Sequence, residues 1–145
     1  HQTKVTSAGL KDVAELKSLK RLNLTGSQVT DVGLKYLSRL ESLEELTLAN
    51  TNITDMGVEN LAGFNLKKLG LPRQAQTDIG LKHYLAALHR SPTVLILNNW
   101  QVTDAGLTSL VNLTSLRVID LLGTQVTGAG LKKLQDALPS CNIIR

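Results

Sequence analysis

Aromatic residues are nearly missing from this chain: 3% of 145 residues, with one Trp, one Phe and two Tyr. A core built on stacked rings is thereby excluded. The apolar fraction is nonetheless 42%, so the core must be aliphatic. Cys141 is the single cysteine, which excludes an internal disulfide framework. No apolar run nears the roughly 18 residues of a membrane span. No membrane span is therefore expected in this chain. A secretory leader pattern is lacking too, but the chain opens on His1 rather than Met, which leaves the compartment open. Neither sign of charge dominates: 16 Lys and Arg stand against 12 Asp and Glu, for a net +4. The densest cationic clusters are pairs such as Lys20 with Arg21, Lys67 with Lys68 and Lys132 with Lys133. A nucleic-acid binder shows a stronger basic stripe, so no nucleic-acid partner is expected.

What is present is a repeat. An apolar-x-apolar triplet recurs at Leu22-Asn23-Leu24, Leu46-Thr47-Leu48, Leu69-Gly70-Leu71, Leu95-Ile96-Leu97 and Ile119-Asp120-Leu121, and Ile143-Ile144-Arg145 begins a sixth. The spacings are 24, 23, 26, 24 and 24 residues. A second marker moves in step: Val29-Thr30-Asp31-Val32-Gly33-Leu34, Ile53-Thr54-Asp55-Met56-Gly57-Val58, Thr77-Asp78-Ile79-Gly80-Leu81 and Val102-Thr103-Asp104-Ala105-Gly106-Leu107. Degenerate copies lie at Val5-Thr6-Ser7-Ala8-Gly9-Leu10 and Val126-Thr127-Gly128-Ala129-Gly130-Leu131.

The two markers have different periods. The triplet alternates, as a short strand must to set both leucines on one face. After Thr-Asp the apolar spacing becomes three and four, as at Leu34, Leu37 and Leu40, which is a helix period. The threonine suits an N-cap, and the aspartate behind it meets the positive end of the helix dipole. Parallel strands joined by helices take a right-handed crossover. Repetition coils the chain into an arc with strands inside and helices outside.

These residues resemble the leucine-rich-repeat family, in the 24-residue form with Val-Thr-Asp-x-Gly-Leu common in bacterial proteins and similar to ribonuclease-inhibitor-like and F-box-associated repeats. The resemblance covers essentially all of residues 1–145. It implies one α/β domain: a right-handed solenoid of about five repeats plus a terminal strand, with a parallel sheet on the concave face and helices on the convex face. It says little of function, because members bind many unrelated partners. In the family, an Asn, Cys or Thr at the end of the strand segment points inward and satisfies backbone groups. Here that position holds Ser27, Thr51, Gln74, Trp100 and Thr124. Gln74 and Trp100 depart from the pattern and sit in the units of unusual length, so residues 62–102 should deviate from a regular arc. Two readings of Trp100 stand: filler of a gap left by irregular turns, or part of a binding spot.

The outward strand positions form the concave wall. In the first three units they are charged and polar: Lys20, Arg21, Asn23, then Glu44, Glu45, Thr47, then Lys67, Lys68, Arg73. In the later units they turn apolar, with Val94, Ile96, Val118, Leu122 and Ile144 ringed by Asn98, Asn99, Arg117 and Asp120. An apolar patch with a polar rim has the anatomy of a protein-binding surface; the alternative is that β-branched residues merely suit strands. Six strands at about 4.8 Å spacing give a flat footprint of roughly 400 Å², against about 800 Å² per partner in a standard interface. A tight protein partner would therefore also touch flanking loops, or the chain belongs to a longer solenoid. The final strand presents an open edge, and open edges invite pairing, so a homo-oligomer through edge strands is a further expectation.

Chemistry-bearing motifs are absent: no phosphate loop, dinucleotide fingerprint, His-Glu-x-x-His or paired Cys motif occurs. His83 and His89 fall on one expected helix but about 120° apart around it, which is poor for sharing a metal. Cys141 has no histidine in its own unit and is expected to be a buried or turn cysteine. Glu44 and Glu45 lie three strands from Asp120, about 14 Å, beyond the roughly 5–9.5 Å of a glycosidase pair. The acceptor triplets at Asn23, Asn52 and Asn112 arise from the repeat pattern itself. No catalytic residue, metal site or cofactor is expected, and the favoured function is non-enzymatic protein binding through the concave face. The competing function is a structural repeat segment of a larger exported or envelope protein.

Overall fold

The structure is a computed structural model that describes residues 5–145. Six short strands alternate with helices along the chain. The strands are β1 (Arg21–Asn23), β2 (Glu45–Thr47), β3 (Lys68–Gly70), β4 (Val94–Ile96), β5 (Val118–Asp120) and β6 (Asn142–Ile144). The α-helices are α1 (Gly9–Val13), α2 (Asp31–Leu34), α3 (Asp55–Val58), α4 (Asp78–Ala87), α5 (Asp104–Leu107) and α6 (Gly128–Ala137). All strand pairing is parallel, in the register the triplets predict: Leu22 lies beside Leu46 and Leu46 beside Leu69, then Leu95 beside Ile119 and Ile119 beside Ile143. The inward leucines join Leu34, Leu37, Leu61, Leu81, Leu107 and Leu134 of the helical segments in one continuous core. Those aliphatic contacts, at about 25 cal/mol per Å² of apolar surface, are what hold the stack.

The helices are less regular than the spacing predicts. Only α4 and α6 run to ten residues, while α2, α3 and α5 have four. A 3-10 turn extends α2 (Lys35–Arg39) and α3 (Glu59–Leu61). His83 lies on α4, but His89 falls beyond its end, so the shared helix expected for the two is corrected. The Nδ1 of His83 hydrogen bonds the Asp55 carbonyl at 3.0 Å.

The Thr-Asp marker does more than start helices. Each aspartate reaches forward to the threonine of the next repeat. Asp31 accepts from the Thr54 N–H at 2.8 Å and from its hydroxyl at 2.7 Å. Asp78 does the same for Thr103, and Asp104 for Thr127. Asp55 accepts the Thr77 hydroxyl at 2.7 Å, and Ser7 stands in at the first step against Thr30. A glycine three residues after the receiving threonine makes room for three of these clamps: a Cβ on Gly57, Gly106 or Gly130 would overlap the carboxylate of Asp31, Asp78 or Asp104. Hydrogen bonds from the Thr127 hydroxyl and amide hold the Asp104 carboxyl below its ordinary pKa, by stabilising the charged form.

The sheet is not continuous. Strands β1–β2–β3 form one three-stranded sheet and β4–β5–β6 another, which corrects the single six-stranded wall expected from the sequence. The division falls within residues 62–102, where irregularity is expected. Its cause begins at the turn after β3. The equivalent turn takes a left-handed residue at Gly26, Asn50, Asn99 and Gly123, with φ of 54° to 71°. Arg73 occupies that place in the third repeat, and a long side chain disfavours positive φ. The chain instead makes a 3-10 turn, Arg73–Ala75. The long helix α4 then returns through residues 86–89 onto residues 63–66 rather than onto β3. The Leu66 N–H donates to the Ala87 carbonyl at 2.8 Å and the His89 N–H to the Leu66 carbonyl at 2.8 Å.

Candidate protein-interaction surface

The second sheet gathers the residues singled out in the sequence. Val94 pairs with Val118 across β4 and β5, and Ile96, Asp120 and Ile144 line up across β4, β5 and β6. Leu122 follows β5, and its N–H donates to the Asp120 carboxylate at 2.9 Å. Val94 and Ile96 are each 53% exposed, Leu122 55% and Ile144 43%, whereas the leucines between them are buried. Val118 is half-buried between its neighbours.

The polar rim is less free than its composition suggests. Asn98 is exposed at the end of β4. Asn99 has φ 61°, in register with Gly26 and Gly123, so asparagine's tolerance of the left-handed region builds the turn there. Its N–H donates to the Leu122 carbonyl at 2.8 Å. Arg117 Nη1 donates to the Thr114 carbonyl at 2.7 Å and the Leu116 carbonyl at 3.1 Å, so part of its donor set is spent on its own loop.

Trp100 is core filler. It is 9% exposed and meets Tyr84 of α4 edge-on, with ring centroids 5.6 Å apart at 80°. The other strand-end positions behave as the resemblance implies at Thr51 and Thr124, whose hydroxyls donate to Leu48 and Leu121 carbonyls at 2.7 Å. Gln74 instead reaches back to the Thr51 carbonyl at 2.6 Å, and the buried Ser27 hydroxyl has no partner among the described residues.

Cys141 is buried, and that burial pushes its thiol pKa up. Glu44 accepts Lys67 Nζ at 2.9 Å, which lowers its pKa. Glu45 lies in the first sheet and Asp120 in the second. Among the described residues, no three His, Cys, Asp or Glu side chains gather as a metal-ligand group, and no helix is long and apolar enough to cross a membrane.

A second apolar row escapes a reading confined to strands. Val32, Met56 and Ile79 occupy the x of Thr-Asp-x-Gly in three successive repeats and are all exposed. The signal was in the sequence: an apolar side chain at one fixed repeat position that no inward face claims.

A model of the leucine-rich repeat matches residues 15–38 and 39–62, two consecutive units. The fold is that of a leucine-rich-repeat solenoid. An internalin from Listeria monocytogenes, solved by crystallography, has a similar fold: TM-score 0.53 and 23% identity over 92% of this solenoid. The match takes in 36% of that internalin, so the present chain spans about a third of the length of the solved protein. Among curated proteins none matches the solenoid.

Proposed function

We propose that this solenoid is a non-enzymatic protein-interaction module whose partner seats on the strand face of β4, β5 and β6. The observation that carries the reading is the exposure of Val94, Ile96, Leu122 and Ile144 on one face of the three-stranded parallel sheet β4–β5–β6. Four large aliphatic side chains held in water by a rigid backbone form an anchor ready to be buried, and centrally buried anchors carry most interface energy. Asn98, Asn99, Val118, Arg117 and Asp120 border the anchor. Because the patch spans only three strands, a partner must also rest on the loops after β4 and β5 to reach the size of a stable interface.

The test replaces Val94, Ile96 and Leu122 together with serine and measures capture of partner from native extract. Capture is expected to fall at least tenfold with the far-UV spectrum unchanged. A control carrying Val32→Ser and Met56→Ser should capture normally. Unchanged capture by the strand-face variant would remove this face from the account. The competing function, a structural segment assembling through open edges, predicts instead that light scattering shows mass growing with concentration and that Ile144→Lys returns it to the monomer value.

A further inference from the structure

The division between β3 and β4 is a slot closed at both ends. Leu66 bridges Leu88 on one side and Thr77 bridges Gln101 on the other. Between those bridges few Cα pairs of β3 and β4 lie within 8 Å, and the two strands belong to separate sheets, whereas bonded neighbours stand about 4.8 Å apart. One added strand needs about two strand spacings, roughly 9.6 Å, between the strands that flank it.

Its edges are unpaired. Elsewhere in the stack, the N–H equivalent to that of Leu71 donates to the next repeat: Leu24 to Thr47, Leu48 to Gly70, Leu97 to Asp120 and Leu121 to Ile144. The Leu71 N–H makes no such backbone bond. The carbonyls of Lys20, Glu44 and Thr93 each accept from the following repeat, while that of Lys67 does not. The facing groups of β4 are equally without a strand partner on that side. Gly70, the last residue of β3, puts no side chain over the opening.

The charge of the walls is one-sided. Residues 66–76 and 88–99 contain Lys67, Lys68, Arg73 and Arg90, with His89 beside them, and no Asp or Glu. Lys68, Arg73 and Arg90 are exposed and take part in none of the ion pairs among the described residues.

We propose that this slot receives one extended acidic peptide segment as an added strand, paired through its backbone to β3 and β4 and held by Lys68, Arg73 and Arg90. Strand addition to an open sheet edge is an established mode of peptide recognition. The site is distinct from the apolar anchor and does not depend on it.

The probe is a labelled seven-residue peptide alternating glutamate and valine, followed by fluorescence anisotropy. Saturable binding is expected, weakened at least tenfold by Lys68→Glu combined with Arg90→Glu and unaltered by Leu122→Ser with Ile144→Ser. Methylating alternate peptide nitrogens of the probe should reduce binding at least tenfold, and amide exchange at Leu71 should slow at least tenfold in the complex. Equal binding of the N-methylated probe, or of a counterpart alternating lysine and valine, would overturn the proposal, as would displacement of the probe by a short oligothymidylate with no change in Leu71 exchange, which marks a merely cationic surface.

Discussion

Four residues, Thr-Asp-x-Gly, explain how one repeat is fastened to the next. Threonine and aspartate were legible as helix-start residues; the bonds accepted at Thr77, Thr103 and Thr127 agree with that, whereas the Thr30 and Thr54 side chains make no cap bond. The forward reach of aspartate was not legible, because nothing local in a sequence says which residue of the next repeat will lie beside a carboxylate. With the structure in hand the glycine follows: it is the space the carboxylate occupies. Gly106→Ala should therefore destabilise by about 1–3 kcal/mol, the usual range for forcing an atom into filled space. Gly128→Ala, where nothing lies within 4 Å of the added Cβ, should be neutral or gain about 0.4–1 kcal/mol by restraining the unfolded chain. Urea melts of the two variants make the comparison, and equal losses would refute the clamp. The same chemistry sets a pH dependence. The folded Asp104 carboxyl is held below its unfolded value, so its contribution is complete above the ordinary aspartate range near pH 4 and disappears as pH falls through the depressed folded value. Asp104→Asn should flatten the melting temperature in that acid range.

Elements show where local pattern stops informing. The triplets marked every strand, and their register is that of the pairing. The 23- and 26-residue spacings marked the disturbed region. They could not show that the sheet parts there, since spacing counts residues and says nothing of the distance between neighbouring strands. The readable signal was Arg73 at a place held elsewhere by Gly or Asn. Helix length was poorly legible for a related reason: the apolar period of three and four fits a short α-turn continued by a 3-10 turn as well as it fits a full helix. Trp100 belongs to this scale because it is buried in the core edge-on against Tyr84 of α4. Trp100→Ala should cost about 3–5 kcal/mol, as deletions of large buried rings do, and Trp100→Phe distinctly less. Chemical denaturation monitored by far-UV signal measures both. A loss below about 1 kcal/mol for the alanine variant would contradict the core assignment.

At the scale of the whole molecule, stability passes from neighbour to neighbour, each repeat burying its leucines only against the next. That left the solenoid easy to recognise and its use hard to read: the leucines that define the fold are buried, while the residues proposed to meet a partner occupy positions the repeat leaves free. Val94, Ile96, Leu122 and Ile144 were found because apolar side chains at outward strand positions are conspicuous. Asn99 and Arg117 look like rim groups in sequence and prove to be partly engaged in turns. The central claim, on which both proposed surfaces rest, is that the triplets stack as parallel strands in two sheets parted between the third and fourth repeats. Scalar couplings across hydrogen bonds, measured by NMR on the isotope-labelled chain, test it directly. Leu48 N–H should couple to the Gly70 carbonyl and Leu97 N–H to the Asp120 carbonyl, with none from Leu71 to Ile96. A coupling between Leu71 and Ile96, or loss of the other two, would contradict the account.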